Sequence, residues 1–162
     1  MREGQVMRHH RRPWRCLSAV VGALITLPAF ADAPKDQYEL FDREARTIKD
    51  TFTRLEWERR LSSIPRDLSI SESRCNAFFS GGRLPTVKEL LTILDEEPHQ
   101  EYESGAVVPK MLDALAFPDA PIGKPYWTST QADATSMWAV NFSTGEMVKV
   151  ATIDSALSRC VR

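Results

Sequence analysis

The sequence predicts a single α+β domain behind an N-terminal export signal, with two helices packed on a small, mostly antiparallel sheet and one disulfide. Three observations lead to this fold class. A strong helix start lies at residue 86, strand-like alternation follows from residue 126 onward, and two cysteines remain once the export signal is removed. The chain of 162 residues contains no internal repeat and nothing that marks a second folded domain.

Residues 1–31 have the pattern of a secretory signal peptide. Five arginines and one glutamate precede the apolar stretch of residues 16–30, and Ala29-Phe30-Ala31 forms a small-residue cleavage site. The apolar stretch is shorter than the roughly 20 residues of a membrane span, so no span is expected after cleavage, and a retained N-terminal anchor is the alternative. We therefore expect export, to the periplasm, to the cell surface or to the extracellular medium.

The charge of the mature chain excludes several partners. The signal holds five of the 21 basic residues and one of the 22 acidic residues, which leaves 16 basic and 21 acidic residues and a formal net charge of −5. A nucleic-acid binder or a protein that binds anionic membranes normally shows a basic patch or stripe. Neither partner is expected here.

The cysteine count predicts a disulfide. Cys75 and Cys160 are the two cysteines of the mature chain, and in an oxidising compartment an even pair indicates one bond. Such a bond would stabilise the fold by roughly 4 kcal/mol on the chain-entropy model. Two separate buried thiols are the alternative.

The N-terminal part of the mature chain shows two weaker patterns. Residues 32–45 are charged with scattered apolar residues, which suits an N-terminal arm or a short amphipathic helix. The folded domain is then expected over residues 46–162. Within it, residues 47–59 place Leu55 and Trp57 in alternation with charged residues, which predicts one half-buried strand.

Two helices are predicted next. Ser69 could cap the first helix, with Glu72 completing a capping box. Thr86 and Glu89 form a clearer capping box, and apolar residues recur behind them at helical spacing. This second helix should end near Glu97, because Pro98 follows.

The second half of the chain begins with a long loop region and then turns to strands. Residues 97–125 are rich in proline and glycine and contain one plausible short helix, over residues 109–116. Residues 143–145 have the composition of a hairpin turn between the last two of three candidate strands. The strands are expected over residues 126–130, 137–142 and 146–151, and a final strand over residues 159–162.

The order of these motifs is similar to that of a known family. The motifs are residues 47–50, 53–59, Cys75, 82–91, 116–118, 126–130, 138–142 and 159–162. Together they resemble the Lcl C-terminal domain family, named for the C-terminal domain of the Legionella collagen-like adhesin, over about residues 46 to 162. The resemblance implies an exported bacterial protein with a bond between Cys75 and Cys160. By analogy it also implies a C-type-lectin-like fold, and fold analogy alone licenses no activity.

The sequence departs from the family pattern at two points. Arg54 stands where the family usually has glycine, and Gly81 and Gly82 stand where it usually has an aromatic residue before Arg83. These departures put the local turn geometry in doubt. None of the short acidic motifs of true C-type lectins is present, so calcium-dependent sugar binding is not supported.

Candidate ligand-binding residues lie on the late strands. Aromatic side chains there could form a stacking platform for a sugar or a peptide, with polar neighbours to hydrogen-bond it, although tryptophans on strands are more often core residues. The predicted ligand-binding residues are Tyr126, Trp127, Ser129, Trp138 and Asn141, with Thr130 and Ser143 as further polar partners. Lys124, Lys149, Arg159 and Arg162 are considered as a small basic patch for a sulfated polysaccharide.

No cofactor and no enzymatic activity are expected. His99 is the one histidine of the mature chain, which is too few for a zinc site, and no nucleophile elbow is visible. Asp95, Glu97 and Glu101 are weak calcium candidates within an acidic segment that is otherwise a solvated face. An anion bound by Gly81, Gly82 and Arg83 would compete with the capping box at Thr86.

These observations predict an exported bacterial recognition or adhesion module that is not an enzyme. Its ligand is expected to be a carbohydrate or an envelope protein, bound through residues 97–125 and the strands beside them. The alternative is a structural or assembly component of the cell envelope, and a homo-oligomer is possible in either case.

Overall fold

The computed structural model describes residues 34, 36–40, 44, 46–61, 63–96, 98–103, 105–121 and 123–162, without the side chains of residues 101 and 103. The predicted signal peptide and most of the predicted N-terminal arm lie outside these residues. Among the described residues, no helix has the length and apolarity that crossing a membrane requires.

Over the described residues the domain is α+β, with two helices and three small antiparallel sheets. The sequence analysis predicted that the strands form one small sheet, whereas the structure divides them among three. The elements are β1 (Tyr38–Leu40), β2 (Thr47–Asp50), β3 (Glu56–Glu58), α1 (Leu68–Phe78), α2 (Val87–Leu91), β4 (His99–Glu103), β5 (Ala106–Lys110), β6 (Tyr126–Asp133), β7 (Ser136–Asn141) and β8 (Glu146–Ala151).

The N-terminal sheet has the order β1-β2-β3; it excludes the helix alternative for the arm and corrects the prediction of one strand over residues 47–59. The described part of the arm contributes a strand, β1, instead of a helix. The single strand expected over residues 47–59 is two strands joined by a turn, in which Arg54 has a left-handed φ of 65°. Asp50 fixes this turn by accepting hydrogen bonds from the backbone N–H groups of Phe52 and Thr53, at 2.9 and 3.3 Å.

Arg54→Gly is expected to stabilise the fold by about 0.5–1 kcal/mol. A left-handed backbone costs a non-glycine residue about 1–2 kcal/mol, and the greater freedom of glycine in the unfolded chain offsets about half of that gain. Urea unfolding followed by circular dichroism measures the change. Thr53→Gly, in the same turn but without a positive φ, is the matched control and should destabilise. A destabilised Arg54→Gly variant would show that the turn does not strain this residue.

Helix α1 starts earlier than predicted. Asp67 is its N-cap, and the Asp67 side chain accepts a hydrogen bond of 2.8 Å from the backbone N–H of Ile70. Ser69 therefore lies inside the first turn and does not cap the helix. Both residue types are good caps, and Asp67 is the one whose backbone is extended, as a cap requires.

Helix α2 confirms the predicted capping box. The Thr86 side chain accepts a hydrogen bond of 3.2 Å from the Glu89 backbone N–H, and the Glu89 carboxylate accepts one of 2.8 Å from the Thr86 backbone N–H. The helix ends at Leu91 and not near Glu97, because the following N–H groups bond three residues back in tighter turns.

The long segment before β6 contains a hairpin within the predicted loop and lacks the helix predicted over residues 109–116. Strands β4 and β5 pair from His99 with Lys110 to Glu103 with Ala106. Residues 109–116 thus supply the end of a strand and a turn. Asp113 holds that turn by accepting hydrogen bonds from the backbone N–H groups of Leu115 and Ala116, at 2.7 and 2.8 Å.

The three late strands and their hairpin agree with the prediction. Strand β7 lies between β6 and β8, and residues 142–145 connect β7 to β8. The predicted final strand is present only as isolated bridges, because Val161 pairs with both Trp57 and Arg83. Val161 therefore connects the N-terminal sheet to the residues just before α2.

The core consists of two apolar clusters. The larger one joins Trp57 and Ile48 to Leu90 of α2, to Phe117 and to the late strands. The smaller one surrounds the bond between Cys75 and Cys160, which is present as predicted. This disulfide ties α1 to the C-terminal segment and so fixes the wall of the cleft described next.

Candidate functional site

The predicted aromatic platform does not form. Tyr126 and Trp127 are both fully buried, which corrects the prediction that their rings are open to a ligand. The Tyr126 hydroxyl donates a hydrogen bond of 2.7 Å to the Pro121 carbonyl, and the Trp127 indole N–H donates one of 2.8 Å to the Arg66 carbonyl. Both side chains are therefore satisfied core residues.

The remaining predicted residues of the platform are separated. Trp138 is half-buried, and the Lys149 ammonium lies 5.7 Å from the centre of its ring. The Asn141 side chain accepts a hydrogen bond of 2.9 Å from the Ser143 backbone N–H, so it holds the turn after β7. Trp138 stays a candidate ligand contact, whereas the Asn141 side-chain oxygen already has a structural partner.

Ser129 lies on the wall of a cleft that the sequence analysis did not anticipate. The cleft has a volume of about 410 Å³ and lies between helix α1 and strand β6. This volume is within the range of roughly 300–1,000 Å³ that ligand sites occupy. The lining residues are Glu72, Ser73, Asn76, Gly82, Arg83, Leu84 and Ser129.

Helix α1 supplies one wall of the cleft. Glu72, Ser73 and Asn76 lie on one side of the helix, because Asn76 is four positions after Glu72 and three after Ser73, the two spacings that bring helical side chains together. Gly82 allows the chain to return close beneath this helix. A Cβ at Gly82 would collide with the Cys75 carbonyl oxygen and would lie 2.7 Å from the Phe79 Cβ. A side chain at this position would therefore displace α1.

Four polar side chains on the cleft wall have no partner within the described part of the chain. They are Glu72, Ser73, Asn76 and Ser129, and all four are exposed. Together they offer a carboxylate, which accepts hydrogen bonds, and an amide and two hydroxyl groups, which both donate and accept them. Buried Leu84 is the apolar residue of the lining.

Arg83 is different, because it is already paired. Its guanidinium makes a two-pronged ion pair with Glu89, with nitrogen to oxygen distances of 2.7 and 2.8 Å. The same guanidinium donates a third hydrogen bond, of 3.2 Å, to the Leu84 carbonyl. Hydrogen bonds from Arg83 hold the pKa of Glu89 at about 2, with smaller contributions from Thr86. Glu89 thus occupies the place where a bound anion would reach Arg83.

Glu89→Gln is expected to destabilise the protein by about 1 kcal/mol at neutral pH, because it removes the charge from both the capping box and the ion pair. The pKa of Glu89 is lowered in the folded state, so its contribution is complete above the ordinary value of 4.5 and is lost as the pH falls from there toward about 2. Urea unfolding at a series of pH values should show the two proteins converging in acid. A difference that does not change with pH would contradict the expectation.

The calcium prediction falls mostly outside the described residues. Glu97 and the Glu101 side chain are not among them. Asp95 is described, and its carboxylate lies 3.0 Å from the His99 Nε2. Among the described residues, no group of three or more histidine, cysteine, aspartate or glutamate side chains could hold a metal ion.

The basic patch considered for sulfated polysaccharides is not assembled as an open surface. Arg159 is fully buried and donates a hydrogen bond of 2.6 Å to the Glu58 carbonyl. Burial lowers the pKa of Arg159 below its ordinary value. Arg162 pairs with Glu56 at 2.7 Å, and Lys149 lies 3.5 Å from Asp133. These contacts leave Lys124 as the one member of the set without an acidic neighbour among the described residues.

A second, smaller groove of about 260 Å³ lies beside β1. Its lining includes Tyr38, Arg59, Asp113 and Leu115. Burial is the largest cause that raises the pKa of Tyr38, and Asp50 and Asp113 raise it further. This groove, unlike the α1 cleft, is lined in part by residues 97–125, the region that the sequence analysis favoured.

Comparison with known proteins adds one finding. No curated protein matches the chain. The family model of the Lcl C-terminal domain matches residues 46–162, which is most of the chain and agrees with the resemblance drawn from its motifs. This family is adhesin-related and is not a known enzyme family. The chain therefore belongs to the Lcl C-terminal domain family.

Proposed function

We propose that this protein is an exported recognition or adhesion module that binds a carbohydrate or a protein ligand and has no enzymatic activity. The observation that carries the proposal is the α1 cleft, which is lined by four polar side chains that have no partner among the residues the structure describes. Polar groups that hydrogen-bond to water and not to other protein groups are available to hydrogen-bond to a ligand. Membership in an adhesin-related family supports the same role.

The proposed export rests on the signal-peptide pattern of residues 1–31 and on the disulfide, which is typical of oxidising compartments. We also propose that the fold is C-type-lectin-like. Its support is the bond between a helix cysteine and the C-terminal segment, together with two helices and small antiparallel sheets. An experimental structure compared with C-type-lectin-like domains would test this assignment.

Binding to glycan and envelope-protein arrays tests the proposed function. The protein is expected to bind at least one component of the arrays. Ser129→Trp should abolish that binding, because the indole ring would fill the cleft. Ala134→Trp is the matched control, because Ala134 is an exposed turn residue between β6 and β7 that does not line the cleft. Both variants should keep the unfolding midpoint of the original protein.

Three outcomes would count against the proposal. Binding to no array component would remove its basis. A ligand that Ser129→Trp and Ala134→Trp retain equally would move the site away from the cleft. A stable stoichiometric partner, found by light scattering and pull-down from envelope extract, would favour a structural component of the cell envelope instead.

A further inference from the structure

Among the described residues that line the α1 cleft, Glu72 is the one charged residue without a counter-charge. Its carboxylate is exposed and has no ion pair or hydrogen bond within the described residues. The other charged lining residue, Arg83, is neutralised by Glu89. A ligand that enters the cleft therefore meets one negative charge, and a carboxylated or sulfated ligand would be repelled by it.

Arg83 is not free to reverse this preference. Its guanidinium already donates two hydrogen bonds to Glu89 and one to the Leu84 carbonyl. An anion that bound Arg83 would have to break the two-pronged ion pair between Arg83 and Glu89. It would also leave Glu89 without a counter-ion at the start of α2. An anionic ligand is therefore disfavoured both by the charge of Glu72 and by the pairing of Arg83 with Glu89.

The uncharged groups beside Glu72 indicate a polyhydroxylated ligand. Ser73, Asn76 and Ser129 supply two hydroxyl groups and an amide, each able to donate and to accept, as the hydroxyl groups of a sugar require. Glu72 and Asn76 are one helical turn apart, roughly 5–6 Å between their Cβ atoms, so one small ring can reach both. A lysine side chain fits the cleft less well, because its long methylene stem would contact Leu84 as the one apolar side chain among the described lining residues.

We propose that the ligand of the α1 cleft is a saccharide with a free, protonated amino group. This inference rests on the function proposed above and narrows it to one class of ligand. The ammonium group of the sugar pairs with the Glu72 carboxylate. The neighbouring hydroxyl groups bond to Asn76, Ser73 and Ser129.

Three tetrasaccharides that differ in charge test the inference by isothermal titration of the full chain. The tetramer of glucosamine is cationic at a mildly acidic pH, the tetramer of N-acetylglucosamine is neutral, and the tetramer of galacturonic acid is anionic. The cationic tetramer is expected to bind about fivefold to tenfold more tightly than the neutral one. The anionic tetramer is expected not to bind.

Glu72→Gln should bring the affinities for the cationic and neutral tetramers to the same value without changing the unfolding midpoint. Glu146→Gln, which changes the same charge at an exposed position on β8 outside the cleft lining, should leave the preference intact. The chemical shift of the Asn76 side-chain amide, followed by NMR, should move on addition of the cationic tetramer.

The results separate failure of this inference from failure of the proposed function. Equal binding of the cationic and neutral tetramers with the Asn76 amide shifted would overturn the amine preference and leave the recognition role intact. Tighter binding of the anionic tetramer would also overturn it. Glu72-dependent binding of a lysine-rich peptide, with no binding of any tetrasaccharide, would replace the saccharide by a protein ligand. If no saccharide and no array component bound, both proposals would fail.

Discussion

Replacing Cys75 and Cys160 by serine is expected to lower the free energy of unfolding by about 4 kcal/mol. The two cysteines are 85 positions apart, so the bond removes much of the freedom of the unfolded chain. Both sulfurs are buried in the smaller core cluster, where serine hydroxyl groups would also need hydrogen-bond partners. A domain of this size is stable by about 5–15 kcal/mol in total, so the loss is large.

Urea unfolding of the double variant and of the original protein measures this effect. The reduced form of the original protein is a second test, because it removes the bond without changing the sequence. Both should unfold at a clearly lower urea concentration. A loss below about 1 kcal/mol in both would show that the C-terminal segment is held by its backbone bridges and packing alone.

Glu58→Gln is expected to cost about 3–5 kcal/mol, because it breaks a buried ion pair. Each oxygen of the Glu58 carboxylate lies 2.7 Å from Arg74 Nη2. The carboxylate also accepts a hydrogen bond of 3.1 Å from the Cys160 backbone N–H. The variant leaves the largely buried Arg74 without a counter-charge. Thermal unfolding or urea unfolding measures the loss.

The exposed pair of Glu44 and Arg46, at 2.8 Å, provides the matched control. Glu44→Gln should cost less than about 1 kcal/mol, since water screens that pair.

Burial raises the pKa of Glu58 above its ordinary value, even though Arg74 and the Cys160 N–H act in the opposite direction. The desolvation of Glu58 thus offsets part of what the pair contributes, so the loss in Glu58→Gln should lie at the lower end of the expected range. The double variant Glu58→Leu and Arg74→Met is therefore expected to be more stable than Glu58→Gln. Equal losses for Glu58→Gln and Glu44→Gln would contradict the assignment of a buried pair.

Local signals were predicted well from the sequence. The capping box of Thr86 and Glu89 depends on residues three positions apart, and the structure has both of its hydrogen bonds. The hairpin of β7 and β8 is also a local pattern. The break of the strand at Arg54 was missed, because arginine itself does not mark a positive φ; the signal lay in the glycine that the family usually has at this position.

Patterns that depend on burial were less informative. The β4–β5 hairpin was predicted as loop and the turn after it as a helix, because a segment rich in proline and glycine has no clear period. Alternation on β6 could not decide whether Tyr126 and Trp127 face a ligand or the core, since a stacking surface and a packed surface need the same residue types. The structure places both in the core.

The cleft could be predicted only in part. Ser129 was a predicted site residue, and it does line the cleft. Its partners on α1 lie more than fifty positions earlier in the chain, and no spacing rule connects the two. The one available signal was indirect. Glu72 and Asn76 are polar residues one turn apart on a helix whose buried residues, Ser71 and Cys75, lie on another face.

The bridges made by residues 156–161 have a consequence for the order of folding. Arg159 donates a hydrogen bond to the Glu58 carbonyl across 101 positions, and Val161 pairs with Trp57. The N-terminal sheet is synthesised long before the segment that pairs with its edge strand β3, so β3 lacks this native partner until the end of the chain is made. Contacts between such distant positions slow folding and prolong the exposure of apolar surface. A chaperone that shields Trp57 during this interval would protect the chain from aggregation.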